Sequence, residues 1–164
     1  MSLVGIGYDS HRLVAGRRLV IGGVELPSER GLDGHSDADV LTHAVIDALL
    51  GAAALGDIGE HFPPSDERWR GADSVGLLET VVAMLADRGL RIVNVDGTVV
   101  MEQPRLAPYR SAIRARLAQA LAVPAERVNV KASTGEQIGF VGRGEGVAAL
   151  AVASLERLRG VCAR

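Results

Sequence analysis

The segment SDADVLTHAVIDALLG, from Ser36 to Gly51, restricts the possible folds of this chain more than any other. Val40, Leu41, Ala44, Val45, Ala48 and Leu49 recur at i, i+3 and i+4, the spacing of one helical face. The spacing predicts a helix from about Asp37 to Leu50, with Ser36 as N-cap and Gly51 as stop. Asp39, His43 and Asp47 stand four residues apart and share the adjoining stripe. Polar groups that border a core need partners. A helix with this pattern must lie on another element, with its polar stripe facing groups that can satisfy it.

Those groups are available in GYDSHRL, residues 7–13. VGIGYD reads as a strand, and residues two apart on a strand point the same way, so Asp9 and His11 share a face. Asp9, His11 and His43 together have the composition of a catalytic zinc site, two imidazoles and one carboxylate with a fourth position open. Asp47, one turn beyond His43, is placed to orient an imidazole. The alternative is that His11 and His43 are ordinary polar residues near a loop, and spacing alone leaves both readings open.

The rest of the chain supplies further strands and helices. RLVIGGVEL reads as two short strands around a Gly22-Gly23 turn. Residues 56–72 carry Gly, Pro and charge and read as a mobile loop, before a helix from Asp73 or Ser74 to about Arg88. RIVNVDGTVVM alternates as a strand that should stop near Pro104, which cannot donate to a ladder. A helix from Pro108 to about Ala122 follows, then the strand VNVKA and the Gly-rich loop STGEQIGFVGRGEG. The last apolar run, GVAALAVASLERL, fits helix or strand by length and is read as a strand. The order predicts an α/β (α+β) sandwich, a mixed sheet with helices packed on one face, in a single domain over residues 1–164.

Charge and cysteine content narrow the class. A formal net charge of −2 gives no basic surface for nucleic acid or anionic lipid. No apolar run is both long and uncharged enough for a bilayer, and no basic region followed by an apolar stretch opens the chain. The single cysteine, Cys162, fits a reducing compartment, and the expectation is a soluble cytoplasmic protein. Of 18 lysines and arginines together, only Lys131 is lysine, which singles it out as a candidate functional residue against a plain solvated charge.

Two segments suit anions. His35 and Ser36 would sit at the N-terminus of the first helix, where free N–H groups favour phosphate; the alternative is simple capping by Ser36, which holds with or without an anion. Lys131, Ser133, Thr134 and Arg143 supply donors along the Gly-rich loop. Glu136, the carboxylate in the middle of that loop, suits a hard cation held jointly with substrate phosphates. No cysteine, nucleophile-elbow pattern or P-loop accompanies these groups.

The order of motifs, G-x-G-x-D-x-H, IGGVELP, GLDGHSDADVLTHAVIDALLGAAALGDIGEHFP, GADS, NVD-x-T, VNVKA, E-x-x-GF and GRGEG, resembles the 2-C-methyl-D-erythritol 2,4-cyclodiphosphate synthase family of the non-mevalonate isoprenoid pathway. The resemblance runs from Gly5 to about Arg157. It implies zinc on Asp9, His11 and His43, phosphate contacts from His35 and Ser36, and transition-state stabilisation by His35 and Thr134. Asp57, Ile58 and Gly59 match the loop that holds the methylerythritol part. Phe62, Pro63, Pro64, Ser65 and Asp66 match a stretch that closes over substrate. Met101, Glu102, Gln103, Pro104, Arg105, Leu106 and Ala107, with Ala132, Ser133 and Thr134, match a cytidine pocket. Glu136 matches the ligand of a second divalent ion, Mg²⁺ or Mn²⁺. The family resemblance further implies a homotrimer with shared active sites, and an axial cavity lined by Phe140 and Arg143 for isoprenoid diphosphates. The chain departs from the family pattern at Gly135, expected to loosen its loop, at Pro64, expected to stiffen its own, and at Gln137 and Arg105.

The implied reaction is intramolecular phosphoryl transfer with loss of CMP. It accounts for the missing nucleophile, because a phosphate oxygen is already ionised at neutral pH. Two rivals stay open on the residues alone: a zinc-dependent phosphohydrolase, and a non-catalytic trimer that binds nucleotides or isoprenoid diphosphates.

Overall fold

A computed structural model describes residues 2–158, so Cys162 lies outside the described residues. β1 (Ser2–Ala15) opens the chain, followed by the short strands β2 (Leu19–Ile21), β3 (Val24–Leu26) and β4 (Arg30–Leu32). Then come α1 (Val40–Ala52), α2 (Ile58–His61), α3 (Ser74–Asp87), β5 (Leu90–Val100) and α4 (Arg110–Ala120). β6 (Val128–Ser133), α5 (Gly139–Gly142) and β7 (Gly146–Arg157) complete the order. The main sheet runs β4-β1-β7-β5-β6, and β2 and β3 form a separate hairpin. Only β5 and β6 are parallel, and α4 lies in the crossover between them, as a parallel pair requires. The sheet is therefore mixed, and its helices cover one face.

Alternation along β1 fixes what each face carries. Leu3, Gly5, Gly7, Asp9 and His11 turn toward the helices, whereas Val4, Ile6 and Tyr8 are exposed on the other face. α1 lies over β1, β7 and β5. Val40, Leu41, Ala44, Val45, Ala48 and Leu49 are all fully buried there, each large aliphatic side chain contributing about 1.5–3 kcal/mol. The helix comes close because Gly5 and Gly7 carry no side chain. A Cβ on Gly7 would stand 1.9 Å from the Ala44 carbonyl oxygen, and one on Gly5 2.1 Å from that of Ala48.

The structure differs from the sequence expectation in several places. The first strand reaches Ala15, well past VGIGYD, because β7 pairs with it from Ser2 to Arg12. β4 was not expected; it is three residues long and held by β1. The first helix starts at Val40, not Asp37. Ala38 adopts φ 57°, which breaks helical geometry. Asp39, not Ser36, is the N-cap, its carboxylate accepting from the Thr42 N–H. The helix also continues one residue past Gly51, to Ala52. Residues 56–72 contain α2 and a 3₁₀ turn at Glu67–Trp69, and the Gly-rich loop contains α5. The final run is a strand, as read, paired with β1 and β5.

Candidate active site

β1 and α1 bring Asp9, His11 and His43 together. Asp9 Oδ2 lies 2.9 Å from His11 Nε2 and 2.9 Å from His43 Nδ1, and the two nitrogens are 3.3 Å apart. Ligands bonded to a tetrahedral zinc at about 2.05 Å stand about 3.3 Å from one another, so this triangle is close to what the ion needs. The protonation pattern fits as well. His11 Nδ1 is 2.7 Å from the Asp33 carbonyl oxygen, which only accepts, so that nitrogen carries the proton, and in the neutral ring Nε2 is left bare for a metal. Burial opposes ionisation of Asp9, but hydrogen bonds and charge from His11 and His43 outweigh it and hold the carboxyl far below its ordinary range. Burial likewise disfavours the His11 imidazolium, yet Asp9 more than compensates and raises that pKa. The donor set thus concentrates negative potential where a cation would sit.

A cavity of about 310 Å³ opens beside this triangle, with His35, Ser36, Asp47, Ile58, Gly59, Phe62, Pro64 and Trp69 among its walls. His35 Nε2 is buried and has no hydrogen-bond partner in the protein. Ser36 does not lie at a helix N-terminus, because α1 begins only at Val40 and Asp39 caps it. Its Oγ accepts from the Ala38 N–H at 3.1 Å and faces His43 Nε2 at 3.2 Å. Arg17 donates to the Gly34 and Ser36 carbonyl oxygens at 3.1 and 2.9 Å and so pins this loop. Nothing in the local sequence marks Arg17 for that task.

The stripe Asp39, His43 and Asp47 divides its duties differently from the expectation. Asp39 is fully buried and turned away from the cavity. It accepts from the N–H groups of Gly22 and Gly23 at 2.8 and 2.6 Å, and from Thr42. Asp47 orients no imidazole; it accepts from the Ile58 N–H at 2.8 Å and anchors α2. Burial pushes the Asp47 carboxyl above its ordinary range. His43 Nε2 meets Ser74 Oγ instead, at 2.8 Å. Among the loop residues, Ile58, Gly59, Phe62 and Pro64 face the cavity. Asp57 caps α2, and Asp66 caps the 3₁₀ turn and pairs with Arg68. Pro63 and Ser65 are not among the cavity walls. Trp69, which sequence reasoning missed, packs edge-on against Phe62 with ring centroids 5.1 Å apart.

A second, larger cavity, about 490 Å³, is lined by Met101, Glu102, Gln103, Arg105, Leu106, Ala107, Ala132, Ser133, Thr134 and Glu136, and by Arg110, which sequence reasoning missed. Pro104 faces a neighbouring groove. Thr134 Oγ1–H donates to Glu136 Oε1 at 2.7 Å, and the Gly135 N–H donates to Glu102 at 2.7 Å. Gly135 does not loosen the loop: a Cβ there would stand 2.6 Å from the Gly142 backbone nitrogen, so the loop closes tightly at this glycine. The two cavities have no wall residue in common, and His35 and Thr134 line different ones. Phe140 and Arg143 lie apart from both, Phe140 partly exposed and Arg143 paired with Glu145 at 2.8 Å.

The YgbB family profile matches residues 2–156. A 2-C-methyl-D-erythritol 2,4-cyclodiphosphate synthase from Symbiobacterium thermophilum is 62% identical over 151 residues, covering 92% of this chain and 96% of that protein. Among solved structures, the bifunctional IspDF from Campylobacter jejuni superposes with a TM-score of 0.93 at 38% identity. The match covers 96% of this chain and 43% of that longer one. A 2C-methyl-D-erythritol-2,4-cyclodiphosphate synthase in a CDP-bound form superposes with a TM-score of 0.86 at 37% identity, covering 93% of this chain and 99% of that one. The profile, the relatives and the superpositions all span nearly the whole chain, and the chain belongs to the YgbB family.

Proposed function

We propose that this chain is a CMP-forming phosphorus–oxygen lyase. It would convert 4-diphosphocytidyl-2-C-methyl-D-erythritol 2-phosphate into 2-C-methyl-D-erythritol 2,4-cyclodiphosphate. The observation that carries the reading is the convergence of one carboxylate oxygen and two imidazole nitrogens beside a cavity that also contains an unpartnered histidine nitrogen. Asp9, His11 and His43 would hold zinc, which supplies Lewis-acid neutralisation of phosphate charge and a template for orientation. Glu136 would hold the second divalent ion, Mg²⁺ or Mn²⁺.

In the reaction an oxygen of the 2-phosphate attacks the β-phosphorus. The new P–O bond closes the ring, and the bond to the bridging oxygen breaks, with that oxygen and its electron pair leaving as CMP. Substrate supplies the nucleophile, so the chain's own residues position groups and compensate charge. His35 Nε2 and the Thr134 hydroxyl would donate to the charge that builds on the transferred group. Met101 to Ala107 and Ala132 to Thr134 would bind the cytidine end, with Arg105 reaching its phosphates. Ile58, Gly59, Phe62 and Pro64 would enclose the methylerythritol end.

The reading also calls for a homotrimer, in which the zinc-side cavity of one subunit faces the cytidine-side cavity of the next. Val4, Ile6, Tyr8, Leu150 and Val152 support it, because they form an exposed apolar face on the sheet, as an assembly surface requires. Phe140 and Arg143 would lie on the axial cavity proposed for isoprenoid diphosphates. The described residues contain no helix long and apolar enough to cross a membrane. The proposed small-molecule metabolism would run in the cytoplasm.

The test is phosphorus NMR on the proposed substrate, with and without chelator. The expected products are the cyclic diphosphate and CMP, formed only without chelator. Release of inorganic phosphate would favour the zinc-dependent phosphohydrolase, and tight binding without turnover would favour a binding protein.

A further inference from the structure

His43 can serve as a ligand through Nδ1 only if its proton stays on Nε2, and groups outside the zinc triangle decide this. Nδ1 points at Asp9 and His11, whereas Nε2 points toward α3, 2.8 Å from Ser74 Oγ, with Ser36 Oγ farther off at 3.2 Å. Ser74 is fully buried as the first residue of that helix. A hydroxyl has a single proton to give, and that of Ser74 goes to Asp37 Oδ1, since a carboxylate only accepts. The Ser74 N–H donates to the other oxygen, Asp37 Oδ2, at 3.1 Å. The carboxylate therefore grips the serine twice, and Ser74 Oγ has only lone pairs to offer the imidazole.

We propose that Asp37 and Ser74 are positioning residues for His43. Nε2–H donates to Ser74 Oγ, whose own proton is committed to Asp37. This relay fixes the tautomer, turns the bare Nδ1 toward the other two ligands and makes it a better electron donor. Asp47, on the same helix as His43, does not reach this nitrogen. The relay also sits at a structural join. The Asp37 N–H donates to the Ala72 carbonyl oxygen at 3.1 Å, and the Gly71 N–H donates to that of His35 at 2.8 Å. One short strap thus ties the loop bearing His35 and Ser36 to the end of the segment that walls the cavity, and its carboxylate sets the ring of His43.

The proposal rests on the zinc reading, and its test separates the two. In zinc-loaded protein, Ser74→Ala and Asp37→Asn are compared by chelator competition and by the visible spectrum of the cobalt(II)-substituted protein. Asp37→Asn keeps the shape but turns an amide NH₂ toward one of the two serine donors. Each variant should bind zinc roughly 10–100-fold more weakly, with displaced cobalt bands. The double variant should lose no more than the weaker-binding single one, because both act through one chain. Ser74→Thr, which keeps the hydroxyl, should recover most of the affinity. Parent protein that takes up no zinc would sink the zinc reading and the relay with it. Parent that binds zinc, with Asp37→Asn and Ser74→Ala within about twofold of it and unchanged cobalt bands, would overturn the relay alone. Additive losses in the double variant would do the same. If Ser74→Ala does not fold, Asp37→Asn and its cobalt spectrum decide the matter.

Discussion

Gly5 and Gly7 determine how near α1 can come to β1, and thus whether a helix-borne imidazole reaches two strand-borne ligands. Gly7 lies against the Ala44 and Ala48 backbone, one residue from His43 along the helix. A methyl there has nowhere to go, because its neighbours are backbone atoms and not flexible side chains. Gly7→Ala should cost about 1–3 kcal/mol or more by overpacking. In a chain of this size that lowers the melting midpoint by roughly 2–4 °C per kcal/mol. It should also weaken zinc binding, since α1 must lift away from Asp9 and His11. Calorimetry and zinc competition on the same sample check both halves, and full zinc affinity with a lowered midpoint would detach the ligand geometry from this close approach. The two-residue period that places Asp9 with His11 was legible in the sequence. The tolerance for a helix against that strand was legible only as unexplained glycines.

At the scale of elements, the hairpin β2–β3 is latched to the first turn of α1 by Asp39. Four donors converge on one buried carboxylate, from Gly22, Gly23 and twice from Thr42. Burial pushes the carboxyl up, and those four donated bonds oppose that rise. Asp39→Ala should lose the helix cap and leave turn N–H groups unmet, about 2–4 kcal/mol in all. Urea unfolding checks the magnitude, and a loss under about 0.5 kcal/mol would mean that water replaces the carboxylate. The sequence made Asp39 legible as polar beside a core, but spacing cannot show which way a cap faces once Ala38 has broken the helix. Periodicity located α1 and β5 because each buries a long regular face, whereas the run that forms β7 fitted helix or strand by length. Periodicity could not locate β4, α2 or α5, which are three or four residues long and too short to show a period. Ser74 and Asp37 were invisible as partners of His43 for a related reason: their contacts join α3 to α1 and to the loop before α1, a packing that no local pattern encodes.

For the whole molecule, the two cavities of one chain complement each other but do not meet. One has the candidate metal triad and His35, and the other has Thr134, Glu136 and Arg105. If a ring of three subunits completes each site, inactive His43→Ala and Arg105→Ala chains should rescue one another when reassembled from an equal mixture. About one quarter of the sites would then combine an intact half from each neighbour. Turnover of the mixture against each variant alone checks this, and no recovery would place the whole reaction within one chain. In the same ring, Ile6→Asp should leave monomers on sedimentation, because it puts a charge in the centre of the apolar sheet face.

The strand β1 interleaves these two requirements residue by residue, with Asp9 and His11 on one side and Ile6 and Tyr8 on the other. A slip of β1 by a single position would swap its two sides, turning hydrocarbon toward the proposed metal site and carboxylate toward the proposed subunit face. The proposed metal site and the proposed assembly face are therefore written in alternate letters of the same short word, and no insertion or deletion there can edit one without scrambling the other.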